Sequence, residues 1–223
     1  MREPPTALPY APPPPSAGEL LFEDDWLIAF LKPSGLLSVP GRGPHLADCA
    51  EARARKINRN ARTVHRLDMD TSGLLLFGKG AEAHRRLSRL FADRRVEKRY
   101  IAMVLRDVVE IRGEVNLPLL TDWPNRPMQK IDHSHGRPAL TRWERLKSGG
   151  GTSLLALYPE TGRTHQLRVH MAAIGHPILG DRFYGTAEAI AAAPRLQLHA
   201  ERLTFPHPAD GTPITLIAPF TPS

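Results

Sequence analysis

Thr63-Val64-His65-Arg66-Leu67-Asp68-Met69-Asp70-Thr71-Ser72-Gly73-Leu74-Leu75-Leu76-Phe77 sets a polar loop directly ahead of a wholly apolar run. Consecutive large apolar residues from Leu74 to Phe77 predict a strand covered on both faces. That strand feeds a helix predicted from Ala81 to about Ala92. Its Ala83, Leu87, Leu90 and Phe91 fall at i, i+4, i+7 and i+8 and make one buried face, with Arg85, Arg86 and Arg89 off it.

Upstream, Leu20–Phe22 and Trp26–Leu31 read as strands around the turn Glu23-Asp24-Asp25. The breaker Lys32-Pro33-Ser34-Gly35 follows, then a short strand Leu36–Val39, and a helix from Asp48 to Ile57. Downstream, Tyr100–Leu105, Ala139–Leu146, Ser153–Tyr158, Arg202–Phe205 and Ile214–Ile217 have strand patterns. A second helix is expected from about Thr164 to Ile174, with Leu167, Met171 and Ile174 as its apolar stripe and Gly175 and Pro177 closing it. Many strands, few helices and no regular βαβ alternation predict an α+β fold: a largely antiparallel mixed sheet with a few flanking helices. Residues 1–17, with the run Pro12-Pro13-Pro14-Pro15, read as a disordered proline-rich tail, and 18–223 as a single catalytic domain with no linker inside it.

Composition narrows the function classes. Lys and Arg number 30 against 23 Asp and Glu, a net charge of +7 that favours polyanionic partners. The basic residues are 24 Arg and 6 Lys; Arg binds phosphate with a planar fork and stacks on bases, although codon bias toward Arg would produce the same excess. A single cysteine, Cys49, excludes a disulfide framework and a Cys-based zinc site. No apolar run approaches membrane-spanning length and no secretory signal is visible, so a cytoplasmic protein is expected.

Two polar islands can carry chemistry. In the first, Asp68 stands at the mouth of the buried strand, where a catalytic carboxylate is often held, and Asp70 is the better turn former. From spacing alone, a purely structural Asp turn competes with that reading. The second island is Thr161-Gly162-Arg163-Thr164-His165-Gln166-Leu167-Arg168-Val169-His170. His165 and Arg168, three apart, are expected on one helix face away from the apolar stripe, and Arg163 with the first-turn amides could receive an anion. A basic, solvated helix end is the equal alternative. Metal binding is not expected at His65, His165, His170 or His176, because no His-Glu-x-x-His pair is present and carboxylates do not accompany them at ligand spacing. No phosphate-binding Gly-Lys-Ser/Thr loop occurs. The run His84–Arg99, with Arg85, Arg86, Arg89, Arg94, Arg95 and Lys98, ends on Tyr100 and has the ingredients of an RNA face, or of a merely solvated helix.

Together the motifs resemble the RluA family of pseudouridine synthases. Lys32-Pro33-Ser34-Gly35-Leu36 is similar to that family's first motif, and His65 to Gly73 to its catalytic motif. Lys98-Arg99-Tyr100, Gly162 to His170, Gly175-His176-Pro177-Ile178-Leu179-Gly180-Asp181 and Leu198-His199-Ala200 follow in the family's order. Asp122-Trp123-Pro124-Asn125-Arg126-Pro127-Met128-Gln129-Lys130 points to the short members without an S4-type domain.

The resemblance covers about 20–220 and implies an isomerase that converts uridine to pseudouridine in structured RNA, 23S rRNA and tRNA anticodon stem-loops being the expected substrates. It implies no cofactor and no metal. It makes Asp68 the essential carboxylate, Arg168 its ion-pair partner, and Tyr100 the ring that stacks on the uracil. Leu198 becomes part of the apolar floor, Arg66 the side chain that fills the space left by a flipped base, and Arg163 and His165 RNA-binding residues. An inactive RNA-binding module of the same fold, and a hydrolase using Asp68 with Asp70, are the competing readings.

Overall fold

The computed structural model describes residues 10–222, and residues 1–9 of the proline-rich segment lie outside them. The chain divides into two compact units, one of residues 10–98 with His199–Phe220, the other Arg99–Leu198. Where the sequence pattern suggests one domain over 18–223, no change of composition marks either crossing, because both fall inside strands.

The first unit begins with β1 (Glu19–Glu23) and β2 (Leu27–Lys32), an antiparallel pair. Then come α1 (Ala50–Ile57), β3 (Ala61–Thr63), β4 (Ser72–Lys79) and α2 (Gly80–Ala92). β4 is the spine: residues 72–78 are buried, as its uninterrupted apolar run predicts. β2 pairs antiparallel along one edge of it, from Leu27 opposite Gly78 to Lys32 opposite Gly73. The other edge is shared: β3 pairs antiparallel with Phe77–Lys79, and the late strand β11 (Leu198–Pro206) pairs parallel with Ser72 and Gly73. β12 (Pro213–Ile217) completes the unit against β11. α2 lays Ala83, Leu87 and Leu90 on the sheet, where Leu27, Leu74, Leu76, Leu203 and Phe205 form the core, while Arg85, Arg86 and Arg89 face solvent.

The second unit is antiparallel throughout, in the order β5 (Glu97–Leu105), β10 (Thr152–Pro159), β9 (Leu140–Gly149), β6 (Arg112–Asn116). A separate hairpin joins β7 (Leu119–Thr121) to β8 (Gln129–Ile131). α3 (Gln166–Ala173) packs on β8 and β9, and α4 (Ala187–Ala191) is a short cover. The α+β, largely antiparallel architecture is therefore the one the strand pattern predicts. Among the described residues, no helix is long and apolar enough to cross a membrane.

Three local expectations change. Leu36–Val39 is not a strand: the carbonyls of Leu37 and Ser38 accept the first amides of α1, and Leu36 O accepts from the Lys32 side chain, so no ladder can use them. Residues 10–17, assigned to a disordered tail, are structured. Tyr10 Oη donates to Asp48 O at 2.7 Å, and Arg53 collects the carbonyls of Pro13 and Pro14, which a proline-rich segment leaves unused. α3 starts at Gln166, so His165 precedes the helix in a left-handed conformation (φ 54°) and does not share a helix face with Arg168.

Gly73 sits where the polar loop enters β4. Its φ of +112° and its parallel pairing with Ala200 leave no room for a side chain, since a Cβ would stand 2.6 Å from Ala200 N and clash with the carbonyl beside it. Gly73→Ala is expected to lower unfolding free energy by about 2–4 kcal/mol, read in urea titration. A wild-type midpoint would show that β11 does not pack this closely.

Candidate active site

In the first unit, the loop between β3 and β4 is held from beneath by the breaker that follows β2. Lys32 is fully buried. Its Nζ donates to Pro33 O at 3.0 Å, Leu36 O at 2.7 Å and Met69 O at 2.8 Å. Ser34 Oγ donates to Asp70 O, and Gly35 N to Met69 O. Ser38 Oγ donates to Leu67 O at 2.6 Å and accepts from Leu67 N, while Thr71 N closes a turn on Asp68 O. Four consecutive carbonyls, Leu67 to Asp70, are thus all engaged. A loop with its backbone satisfied cannot collapse onto the sheet, and its side chains are presented in fixed directions. Asp68 is half-buried there, and Arg66, two residues earlier, is exposed.

Burial pushes the Lys32 ammonium down to about 7, while the negative charges of Asp70 and Asp68 act to keep it protonated. His65 enters the gap on the edge of β4 between β3 and β11. Its Nε2 accepts from Leu76 N at 3.0 Å, and its ring stacks on Phe91 with centroids 4.4 Å apart. An imidazole that accepts from an amide is neutral at that nitrogen. Burial, helped by the positive charge of Lys98, pushes His65 down to about 3. His65 therefore completes a strand edge, and its charge is not available for proton transfer near neutrality.

In the second unit, Arg168 is buried to 2 % exposure, and it is gripped by Asp181, with Nε to Oδ2 at 2.9 Å and Nη2 to Oδ1 at 2.7 Å. The rings of Phe183 and Tyr184 lie 5.0 and 5.3 Å from its guanidinium carbon. Asp181 Oδ1 also accepts from Phe183 N and Tyr184 N, so one carboxylate shapes the turn that brings both rings to the arginine. Tyr184 Oη meets His165 Nδ1 at 2.7 Å and accepts from Gln129 N at 2.8 Å.

His165, expected to bind RNA, is buried against Phe183 and Tyr184, a placement that suits positioning. Arg163 is half-buried and donates to Pro138 O. Thr161, Gln166 and His170 of this island are internal scaffolding. Gln166 accepts from Thr161 and from Arg163 N and donates to Leu140 O and Thr141, and His170 bridges Thr141 and Leu117 O. That overturns the solvated helix end: Gln166 through Met171 are all buried. Tyr100 packs against the core of this unit, which includes Leu157, Leu167 and Leu198. Sequence reasoning missed the parts of Lys32 and Asp181; both lie inside quoted motifs, but nothing in their spacing reveals a pinned loop or a gripped arginine.

The basic run divides as well. Arg85 and Arg86 pair with Glu82, and Arg86 lies over the Trp26 ring, whereas Arg89, Arg94 and Arg95 are exposed.

Residues 26–173 match the family model for RNA pseudouridylate synthase. The chain is 48% identical over 211 residues to the Escherichia coli K12 protein named dual-specificity RNA pseudouridine synthase RluA, covering 94% of this chain and 96% of that one. It is 47% identical over 206 residues to the Vibrio vulnificus protein of the same name, covering 90% and 82%. Among solved structures, human RNA pseudouridylate synthase domain containing 1 superposes with a TM-score of 0.76 at 28% identity, covering 94% of this chain and 86% of that one.

Replacing Lys32 by Met keeps the stem and removes the three donors. Lys32→Met is expected to cost about 2–4 kcal/mol of stability, because buried carbonyls are left short of partners, and to speed amide exchange at Gly35 and Thr71. Unchanged exchange at both amides would mean that the lysine does not hold the loop.

His65 gives a pH signature. Its folded value lies below its unfolded one, so its contribution is fully present above about pH 6.5 and is lost as pH falls toward about 3. Urea unfolding at pH 7 and pH 4.5 should show a larger acid loss for the wild type than for His65→Gln. Equal losses would assign the acid limb to other groups.

Proposed function

The chain belongs to the RNA pseudouridylate synthase family, and from that membership we propose that Asp68 is the carboxylate that starts the isomerisation, on uridines of both ribosomal and transfer RNA. The reaction breaks C1′–N1 and forms C1′–C5; C5 gives up a proton and N1 ends with one. Nothing is oxidised, reduced or hydrolysed overall, so the chemistry calls for no cofactor. What supports Asp68 is its setting: four successive engaged carbonyls around it, the exposed Arg66 beside it, and a buried cation underneath.

The other roles are those that family membership implies for the matching residues. Arg168, oriented by a bidentate carboxylate and two rings, is the fixed cation of the reading. Tyr100 presents a ring for stacking on the uracil, and Leu198 lends apolar surface. Arg66 takes the place of the flipped base, whose extrusion costs a few kcal/mol. Arg163 reaches RNA phosphate, and His165 acts through Tyr184 to set the turn around Arg168. RNA of these classes places the work in the cytoplasm.

Asp68→Asn is nearly isosteric and removes the anionic oxygen. Pseudouridine formation on rRNA fragments and on tRNA should fall by several orders of magnitude with RNA affinity near wild type, while the melting temperature drops by only a few degrees, because Asp70 still faces the buried Lys32. A folded Asp68→Asn enzyme that still makes pseudouridine at a similar rate would sink the assignment. Product on one RNA class alone from the wild type would sink dual specificity.

A further inference from the structure

Trp123 serves neither core nor turn. It stands at the tip of the β7–β8 hairpin in a short 3-10 turn, Trp123–Asn125, and is 65% exposed. The turn is built by its neighbours. Asp122 N donates to Met128 O, Asn125 N to Asp122 O, Met128 N to Asn125 O, and Asn125 Nδ2 to Asp122 Oδ2 at 2.8 Å. A loop closed this way needs no indole, and a fold-serving tryptophan would turn its large apolar surface inward. Instead Arg126 lies with its guanidinium carbon 3.5 Å from the ring centroid, covering one face.

We infer that Trp123 is a stacking platform for an unpaired base of the RNA substrate, beside the uridine that reacts. This rests on the pseudouridine synthase reading of the preceding section. A π-face on a stiff loop binds any base at low entropic cost, and an arginine already stacked on the opposite face adds charge attraction for phosphate. The surrounding charge fits. Arg126 and Arg137 are exposed, whereas Asp122 is engaged by Asn125, and Asp132 accepts the amides of Ser134 and His135 and pairs with Lys130 at 3.7 Å.

The platform is also mechanically tied to the arginine site. Thr121 pairs with Gln129, whose amide donates to Tyr184 Oη, and Tyr184 touches both His165 and Arg168. Trp123 is two residues beyond Thr121, about 7 Å of extended chain, so a base on its ring belongs to a nucleotide near the reacting one. Enzymes that extrude a base commonly read its flanking nucleotides in this way.

The test compares wild type, Trp123→Ala, Trp123→Phe and Arg126→Ala on an anticodon stem-loop RNA and on a fully paired duplex of equal length. Trp123→Ala should raise KM on the stem-loop about tenfold, the order expected of one stacked base, and Trp123→Phe should stay within about threefold of wild type. Duplex affinity should be unchanged in both. Trp143 is buried and Trp26 half-buried, so acrylamide quenching of indole fluorescence reports mainly Trp123. Stem-loop RNA should protect it in the wild type, with no protection left in Trp123→Phe. Melting temperatures check folding.

Wild-type KM in Trp123→Ala, equal losses on stem-loop and duplex, or a phenylalanine variant as weak as the alanine one would each overturn the inference. If the wild type protects Trp123 with RNA yet makes no pseudouridine, the functional reading falls and the platform stands. If it makes pseudouridine while quenching is unaffected by RNA, the platform falls and the function stands.

Discussion

A lysine without exposed surface must find an acceptor for each N–H or lose its proton, and Lys32 finds three carbonyls. The neutral amine has only two hydrogens, so this geometry selects the ammonium even though burial pulls its pKa to about 7. Burying a cation is costly unless nearby charge offsets it, and Asp68 and Asp70 supply that charge. The two acids, the lysine and the pinned carbonyls form one electrostatic unit. Each part makes the others tolerable at the end of a strand that is otherwise wholly apolar.

β4 explains how such a loop can be rigid without being long. One edge is occupied by β2 from end to end, and the other is shared by β3 near Lys79 and β11 near Ser72. The gap between them is closed by the His65 ring accepting from Leu76 N, and Ser72 is tied to β11 through His199 Nδ1 at 2.9 Å. The loop therefore leaves and rejoins the sheet at points fixed by side chains, and Gly73 admits β11 because it has none. For the carboxylate proposed at Asp68, positioning of this kind holds the group in place before substrate arrives.

The longer apolar strands and the helix α2 were legible because periodicity and apolar runs report burial directly, as Leu74–Phe77 and the Ala83/Leu87/Leu90 stripe show. Leu36–Val39 misled because alternation says nothing about which partners the backbone takes; here they are α1 and a lysine. β3, β7 and β8 were missed because three residues are too few to carry a period, and β6 because Arg112-Gly113-Glu114-Val115-Asn116 holds a single apolar residue. The polar islands were visible as islands, yet their chemistry was not. Lys32 reads as part of a breaker, and Asp181 as one acid after a glycine, until folding brings them to Met69 and Arg168.

The two islands hold charge in opposite ways. Around Asp68 the backbone is satisfied and the side chain is half-buried. Around Arg168 the side chain itself is gripped: Asp181 takes its Nε and Nη2, and two rings flank it. A guanidinium so buried would be destabilising if it were merely paired, but Asp181 accepts two amides as well, so few of its lone pairs go unused. Such an arginine cannot swing toward a developing charge. In the role proposed for Arg168, a cation that does not move stabilises developing charge without reorganisation.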